Sequence, residues 1–428
     1  MIRKALIPSI IVAGVIINSC KKIDPDCSTC PCPACPRITE VLPNHGRPGD
    51  TLILKGINFN VDPYLNLITF NDTLVQEILD GTTTELKVIV PEGTTTGSVK
   101  IKINDDKALS SDEIPDFTEP VFTIDHFVEL VAGTPEVQGD GDGLNNAATF
   151  CNLSKIAVDD IYNKIYLIDK VQSNNNKTIR EIDSLNVTTV FTSSSNSTQY
   201  QLNDLTSTYD IAYYVIENNP PNNSNAIKYK NINGTGLFSF LLANFPTYRF
   251  SQLCIDTEQA HLFYLMYKNT GYNYYLMRRK LMCTNSCIDT IKYFGNSSTV
   301  GVDLEFNKGE FYYAKYNSAT LTYSICKLVS VSGNYQEQVI INNLTYVSGI
   351  AIDRNKNVYF SKDNQIFRVL SNGQSQLIAG AILPDYNFDP ATGLNSFFNS
   401  IKDIDFDSNN NLYIVDAGNY CIRRLKID

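Results

Sequence analysis

Four cysteines close to the N-terminus have a spacing that could bind a metal ion. They lie in the segment CSTCPCPAC and are Cys27, Cys30, Cys32 and Cys35. Tetrahedral zinc and iron–sulfur clusters are held by thiolates with comparable spacing. Pro31 and Pro33 within this segment and Pro36 directly after it stiffen the chain, however, and no second pair of ligands follows that would complete a fold around a metal. Local disulfides in a rigid stalk are therefore favoured, and a metal site or free, redox-active thiols are the alternatives.

A second candidate is the loop QGDGDGLNNAATF at residues 138–150. Its Asp140 and Asp142 are spaced like the first and third ligands of a calcium loop. The fifth position is Leu144, which cannot bind a cation, and Cys151 stands where a bidentate glutamate is expected. The sequence therefore favours a structural loop over a calcium site.

Histidine is scarce, which limits the catalytic chemistry available to the chain. There are three histidines, His45, His126 and His261, and a lone histidine in a strand is more often packed or solvated than a ligand. No nucleophile elbow and no glycine-rich phosphate loop is present. We therefore predict a non-catalytic protein without a cofactor or metal. The formal net charge of −10 argues against nucleic acid as a partner.

Tyrosines are the remaining candidates for binding chemistry, because flat aromatic rings stack on the C–H faces of sugars. The candidates lie in the segments NTGYNYYLMRRK and FYYAKY and are Tyr272, Tyr274, Tyr275, Tyr313 and Tyr316. The chain has no tryptophan, and tyrosines that alternate with period two also occur in ordinary strand packing. Both interpretations remain open at this stage.

The elements that must position these residues repeat along the chain. Residues 155–183 and 402–428 each contain three short β-type runs. A fourth run precedes each copy, VELVAG at 128–133 and SQLIAG at 375–380. Because repetition of this kind marks an array of supersecondary units, we expect an all-β protein built from such units.

Counting between equivalent turn residues gives the number of units. The aspartates at 159, 256, 353 and 407 are separated by 97, 97 and 54 residues. Each longer gap holds one further copy, so the repeat is about 50 residues long and there are about six repeats, as in a six-bladed β-propeller. The run VELVAG has no earlier partners, and we expect it to complete the last blade and close the ring.

The repeat resembles the NHL family of propellers. The matching segments include Ile156–Asp159 with Ile165–Asp169, and Ile404–Asp407 with Leu412–Asp416. The middle repeats carry Asn- and Tyr-rich insertions, and the family's characteristic histidine is absent at Tyr420. The resemblance implies a six-bladed ring whose loops bind a ligand. Some propellers of related shape are metal-dependent lactonases or lyases, and this enzymatic function is the alternative.

The resemblance also bears on the remaining cysteines. Cys151 and Cys421 lie in the first and last repeats, so ring closure would bring them near one another as a candidate disulfide. Cys283 and Cys287, in CTNSC, are a second candidate pair, bridging the ends of a loop.

A separate domain precedes the repeats. The stretch PRITEVLPNHGRPGDTLILKGINF resembles the start of an IPT/TIG domain, an immunoglobulin-like β-sandwich. Period-two alternation in TLILKG predicts a strand with one buried face, and the glycines permit tight turns. Such domains are spacers or interaction modules.

The N-terminus is similar to a lipoprotein signal peptide. Arg3 and Lys4 precede an apolar stretch, and Ser19 precedes Cys20 in a sequence that resembles a bacterial lipobox of the Bacteroidetes type. The resemblance implies that Cys20 is lipidated and anchors the protein in the outer membrane, exposed at the cell surface. An ordinary secretory signal or an uncleaved anchor is the alternative.

The predicted organisation is all-β, with an immunoglobulin-like TIG sandwich followed by a six-bladed NHL-like propeller. Its segments are a signal peptide at 1–19, a Cys/Pro-rich linker at 20–35, an IPT/TIG domain at 36–123 and the propeller at 124–428. We expect a lipid-anchored protein that binds a glycan or a partner protein through the propeller, with a purely structural spacer as a further alternative.

Overall fold

The structure, a computed structural model, describes residues 35–427 apart from a set of short gaps. The gaps are 93, 95, 105–117, 160, 174–175, 194–199, 209–210, 219–225, 232–247, 269–272, 282–287, 296–299 and 387–390. The chain divides into two compact units, the first ending at Asp125 and the second running from His126 to Ile427. Within the described ranges, no helix has the length and apolar character needed to cross a membrane.

The described part of the first unit contains nine strands and one 3-10 turn. They are β1 (Arg37–Leu42), β2 (His45–Gly46), β3 (Thr51–Ile57), the turn Pro63–Leu65, β4 (Asn66–Phe70), β5 (Thr73–Leu74), β6 (Ile78–Gly81), β7 (Glu85–Ile89), β8 (Gly97–Ile103) and β9 (Val121–Ile124). One sheet has the order β1-β3-β7-β6 and the other β2-β9-β8-β4-β5. Both sheets contribute side chains to a single apolar core, which makes this unit a β-sandwich.

Alternation along β3 shows how the sequence forms this sandwich. Leu52 and Leu54 are buried while Thr51 and Lys55 are exposed, as the period of two requires. Gly56 lies against the Arg37 carbonyl and the Phe59 ring, where a Cβ would collide with both. The strand predicted from the alternation in TLILKG is confirmed.

Among its described residues, the second unit contains the remaining strands and two further 3-10 turns. The first of its strands are β10 (Phe127–Ala132), β11 (Gly143–Leu144), β12 (Lys155–Asp159), β13 (Lys164–Lys170), β14 (Lys177–Ile182), β15 (Asn186–Thr192), β16 (Tyr200–Thr208), β17 (Ile211–Asn218) and β18 (Ala226–Asn231). There follow β19 (Tyr248–Asp256), β20 (His261–Lys268), β21 (Tyr274–Lys280), β22 (Ile288–Gly295), β23 (Val300–Asn307), β24 (Glu310–Asn317), β25 (Thr322–Val331) and β26 (Asn334–Leu344). The last are β27 (Gly349–Ile352), β28 (Val358–Lys362), β29 (Gln365–Val369), β30 (Ser375–Ala379), β31 (Ala391–Thr392), the turn Gly393–Asn395, β32 (Ile401–Phe406), β33 (Asn411–Asp416), the turn Ala417–Asn419 and β34 (Cys421–Lys426).

These strands form six antiparallel sheets within the described part of the second unit. Sheets 1 to 6 begin with β12, β16, β19, β23, β27 and β32, respectively. In sheets 1 to 5 the later strands follow in chain order, and β11 adds to the outer edge of sheet 1. The first strands of successive sheets contact one another in this order, and β32 also contacts β12. The all-β prediction is confirmed.

The segment VELVAG, which has no earlier partner strands in the sequence, completes the last sheet as predicted. It forms β10, which pairs antiparallel with β34, so that Val128 lies opposite Leu425. Glu129 strengthens this pairing through ion pairs of 2.7 Å with Arg424 and 3.0 Å with Lys426. Sheet 6 therefore consists mainly of strands from the C-terminal segment and one strand from the start of the unit.

The resemblance between the first and last repeats has a physical basis in two buried arginines. In sheet 1 an Arg180 Nη1 lies 3.1 Å from an Asp169 carboxylate oxygen, and its guanidinium stacks on Phe150. In sheet 6 Arg423 pairs in the same way with Asp416, at 3.5 Å, and stacks on Phe398. A buried guanidinium needs both a carboxylate partner and close packing, so these residues recur together.

The pairing of β10 with β34 can be tested with one substitution. Val128→Asp should lower the free energy of unfolding by about 3 kcal/mol or more, because Val128 is fully buried and an unpaired carboxylate would take its place. Thermal and urea unfolding of the purified protein measure the effect.

Glu129→Gln in the same strand is the control. Its partly exposed ion pairs are worth at most about 1 kcal/mol, so its Tm should stay close to that of the wild type. Equal midpoints for Val128→Asp and the wild type would show that β10 does not stabilise sheet 6.

Candidate functional site

A buried lysine lies where the first strands of the six sheets converge. Lys155, the first residue of β12, is enclosed by carboxylates from sheets 2, 4 and 6. Its Nζ lies 3.0 Å from Asp303, 3.4 Å from Asp403 and 3.8 Å from Asp204. One ammonium group thus joins four sheets.

The same three carboxylates also hold the neighbouring sheets. A second oxygen of Asp403 accepts the backbone N–H of Ile156 in sheet 1 at 3.1 Å. The second oxygen of Asp204 accepts the backbone N–H of Leu253 in sheet 3 at 2.6 Å. The second oxygen of Asp303 accepts the backbone N–H of Ile350 in sheet 5 at 2.9 Å. Through one ammonium and three carboxylates, all six sheets are linked.

Burial and charge act in opposite directions on this cluster. Burial disfavours the charged form of Lys155, but Asp303, Asp403 and Asp204 raise its pKa well above the usual value, so that it stays an ammonium. Burial raises the pKa of Asp204 to about 7, although Lys155 opposes the shift. Burial likewise raises the pKa of Asp403 and that of Glu305 well above their usual values. The cluster therefore holds more acidic groups than its single cation can balance.

Sequence reasoning missed this cluster, although a signal for it exists. Asp204, Asp303 and Asp403 are spaced by 99 and 100 residues, which is twice the repeat. The aspartates used to count the repeats have a different role, since they close the turns after the first strands. Asp353 accepts the backbone N–H groups of Asn355 and Asn357, and Asp407 those of Asn409 and Asn411.

The tyrosines predicted to bind a ligand differ in how far they are buried. Tyr274 and Tyr313 are in the apolar core between sheets 3 and 4, so neither ring can stack on a ligand from solvent. The Tyr313 hydroxyl also donates to Glu337. Tyr272 lies outside the described residues. The prediction of a stacking role is therefore wrong for Tyr274 and Tyr313, because their alternation reflects strand packing.

Tyr275 and Tyr316 are partly exposed, and each belongs to a group of three tyrosines. In sheet 3, the Tyr275 ring centroid lies 5.0 Å from that of Tyr293 and 6.1 Å from that of Tyr248. We call these three residues the sheet-3 cluster. Tyr293 is 53% exposed, and its hydroxyl donates to Asn273 at 2.9 Å.

A similar arrangement recurs in the next sheet. Tyr323 lies with its ring centroid 4.9 Å from Tyr316 and 5.9 Å from Tyr346, and we call these residues the sheet-4 cluster. Tyr346 is 39% exposed. Tyr248 begins β19, and Tyr316 is near the end of β24, which lies beside the start of β23. Both clusters therefore lie at the ends of their sheets where the first strand begins.

Comparison with known proteins identifies the first unit and the overall fold. Residues 36–117 match the IPT/TIG domain family. No curated protein matches the sequence. Among solved structures, a protein of unknown function from Bacteroides thetaiotaomicron is similar in fold, with 17% identity and a TM-score of 0.56, covering 94% of this chain and 100% of that one.

Two further structures with this fold carry a functional description. An auxiliary nutrient binding protein from Bacteroides thetaiotaomicron is 16% identical, with a TM-score of 0.52, and the match covers 91% of this chain and 97% of that one. One from Bacteroides ovatus is 14% identical, with a TM-score of 0.51 and the same coverage. At these identities the comparison shows the fold alone.

The other predicted sites have structural contacts. Asp140 accepts the backbone N–H of Gln172, and Asp142 binds both Thr189 and Arg180, so these aspartates fasten a loop to sheet 1. Burial and the nearby Arg278 lower the pKa of His261, which packs beside Phe263. In the described ranges, no three His, Cys, Asp or Glu side chains are grouped to hold a metal ion.

The predicted cysteine pairs have different outcomes. Cys151 is a buried free thiol whose sulfur lies 3.6 Å from the Gln138 amide, so the predicted bridge to Cys421 is not formed. Both cysteines are buried, and each is a thiol rather than half of a disulfide. Cys20, Cys283 and Cys287 lie outside the described residues. Cys35 is buried and disulfide-bonded.

The central cluster predicts a specific pH dependence. The pKa of Asp204 is about 7 in the folded protein and near 3.8 in an unfolded chain, so the native state binds more protons between these values. Stability should therefore fall as pH rises from about 4 to 7, with a slope of at most about 1.4 kcal/mol per pH unit for this group.

Asp204→Asn keeps a side-chain oxygen that can accept the backbone N–H of Leu253 but removes the carboxyl group that titrates. Urea unfolding between pH 5 and 8 should show a shallower pH dependence in this variant than in the wild type. As a control, Asp363→Asn changes an exposed carboxylate and should leave the slope unaltered. Parallel slopes for Asp204→Asn and the wild type would contradict the assigned pKa.

Proposed function

We propose that the protein is a lipid-anchored surface protein that binds a glycan through a six-bladed, NHL-like propeller formed by its second unit. The ring order of the first strands, the repeat of about 50 residues and the return of β10 to sheet 6 all support a closed ring of six blades. The observation that carries the binding function is the pair of tyrosine clusters in adjacent sheets.

The clusters suit a carbohydrate for chemical reasons. Each places rings at different angles around a partly exposed central tyrosine, Tyr275 or Tyr323, with a more exposed ring beside it. Such rings supply apolar faces for sugar C–H groups and hydroxyls that hydrogen-bond to sugar oxygens. The fold is also that of proteins described as auxiliary nutrient binding proteins.

The central cluster supports a binding role rather than catalysis. Its three aspartates are engaged by the Lys155 ammonium and by backbone N–H groups, which are contacts that hold the sheets together. A metal-dependent lactonase needs ligands that are open to a metal and a substrate. Stoichiometric bound metal together with lactone turnover would overturn this conclusion.

Glycan binding can be tested at the most exposed ring of each cluster. Tyr293→Ala and Tyr346→Ala should each weaken the binding of a glycan selected on an array by about tenfold or more, because each removes an aromatic contact. Titration of the purified protein with that glycan measures the loss.

Tyr162→Ala is the matched control, because Tyr162 is 50% exposed but belongs to the turn after β12. Its affinity should equal that of the wild type. Capture of a protein partner that depends on Tyr293, without glycan binding, would replace the glycan by a protein ligand. Full binding by both cluster variants would exclude the clusters as the site.

The lipid anchor is a separate part of the proposal and rests on the sequence Ile-Asn-Ser-Cys that ends at Cys20. Cells that express the protein and are fed a labelled fatty acid should incorporate the label into the wild type but not into Cys20→Ser. Cys27→Ser, in the adjacent linker, should be labelled normally. Protease treatment of intact cells tests surface exposure, since a protected wild-type protein would face the periplasm.

A further inference from the structure

The first strands of the sheets enclose a cavity next to the Lys155 cluster. Its volume is about 220 Å³, and its wall includes residues from sheets 1 to 6. Ile161 and Thr257, which follow β12 and β19, lie at its wall and are exposed to solvent. A cavity of about 150 Å³ accommodates benzene, so this one is large enough for a somewhat larger organic molecule.

Acidic groups outnumber cations around this cavity. Six carboxyl groups line it. One is Asp159 in sheet 1, and the other five, from sheets 2, 4 and 6, are Asp204, Asp303, Glu305, Asp403 and Asp405. Lys155 pairs with the three aspartates of the inner cluster only. Glu305 is partly exposed and, together with Asp405, forms a second acidic layer two residues further along the strands. Burial raises the pKa of Glu305, and the carboxylate of Asp405 raises it further.

An unpartnered hydroxyl gives a second, independent indication of a ligand. Ser207 lines the cavity and is only 5% exposed. Its Oγ has no hydrogen-bond partner among the described residues. A buried hydroxyl without a partner is costly, and a ligand that hydrogen-bonds to it would remove that cost.

We infer that this cavity binds a small hydroxylated organic ammonium ion, with its ammonium against Glu305 and Asp405 and a hydroxyl hydrogen-bonded to Ser207. The positive charge balances the excess of carboxylates, and the hydroxyl satisfies the serine. The volume exceeds what a bare metal ion needs, and no described residues are grouped as metal ligands. This site is distinct from the tyrosine clusters, since Thr257 follows the end of β19 whereas Tyr248 begins that strand.

Glucosamine and glucose provide the test, because they differ by one ammonium group in place of a hydroxyl. Titration calorimetry of the purified protein at about pH 6, where amines are protonated, should show binding of glucosamine. Binding of glucose should be at least about tenfold weaker. Glu305→Gln keeps nearly the same shape but removes the carboxyl group that a bound ammonium would keep ionised, and it should weaken glucosamine binding by about 10-fold to 100-fold, the range for a lost charge-assisted hydrogen bond.

Ser207→Ala is the second variant and should weaken glucosamine binding severalfold without changing the preference over glucose. Glu136→Gln, at an exposed position outside the cavity, is the matched control and should bind like the wild type. Thermal unfolding of each variant establishes that it is folded, and Glu305→Gln should retain the glycan binding of the tyrosine clusters. Loss of glycan binding that is confined to Tyr293→Ala would bear on the glycan function proposed for the tyrosine clusters and not on this cavity.

Three results would overturn the inference. The first is equal affinity for glucosamine and glucose, and the second is no binding of glucosamine tighter than a Kd of about 1 mM. The third is calcium chloride binding that is abolished by Glu305→Gln while glucosamine does not bind, because the cavity would then hold an inorganic cation.

Discussion

The second unit depends on one ammonium group that is shared by three carboxylates. Lys155 lies in the first sheet, and its charge allows Asp204, Asp303 and Asp403 to be buried at the centre. Each aspartate uses its other oxygen to hold the backbone of the sheet that follows. Without the ammonium, three buried carboxylates would repel one another, and each would lose its ion pair and keep only its hydrogen bond to a backbone N–H.

This arrangement links six sheets through three equivalent aspartates, one in every second sheet. Even-numbered sheets supply the carboxylates, and odd-numbered sheets supply the N–H groups that those carboxylates accept. The first strands of neighbouring sheets belong to separate sheets, so their facing backbone groups are not paired with one another in a ladder. Side-chain carboxylates satisfy these groups, as buried polar groups require.

Much of the fold could be predicted from the sequence, because the relevant signals are local. The repeated runs, the turn aspartates such as Asp407 and the orphan strand β10 each leave a pattern in a few consecutive residues. The central cluster could not be predicted in this way. Lys155 and Asp403 are 248 residues apart, and only the contact between β12 and β32 brings their side chains together.

The tyrosines show the same limit at the level of single residues. Adjacent residues of β21 differ in burial, since Tyr274 lies in the core and Tyr275 belongs to a partly exposed cluster. The sequence reveals that tyrosines alternate but not which face of the sheet is covered by the next one. Tyr293 and Tyr346, the most exposed members, lie outside the tyrosine-rich segments NTGYNYYLMRRK and FYYAKY.

The pairing of β10 with β34 has a consequence for how the protein matures. Its two strands are separated by about 290 residues, so the sixth sheet cannot assemble until the segment around Cys421–Lys426 has emerged. A chain that is still being synthesised therefore leaves β10 with an unpaired edge and the central carboxylates without their full set of neighbours. Such a chain completes its fold later than one whose contacts are local.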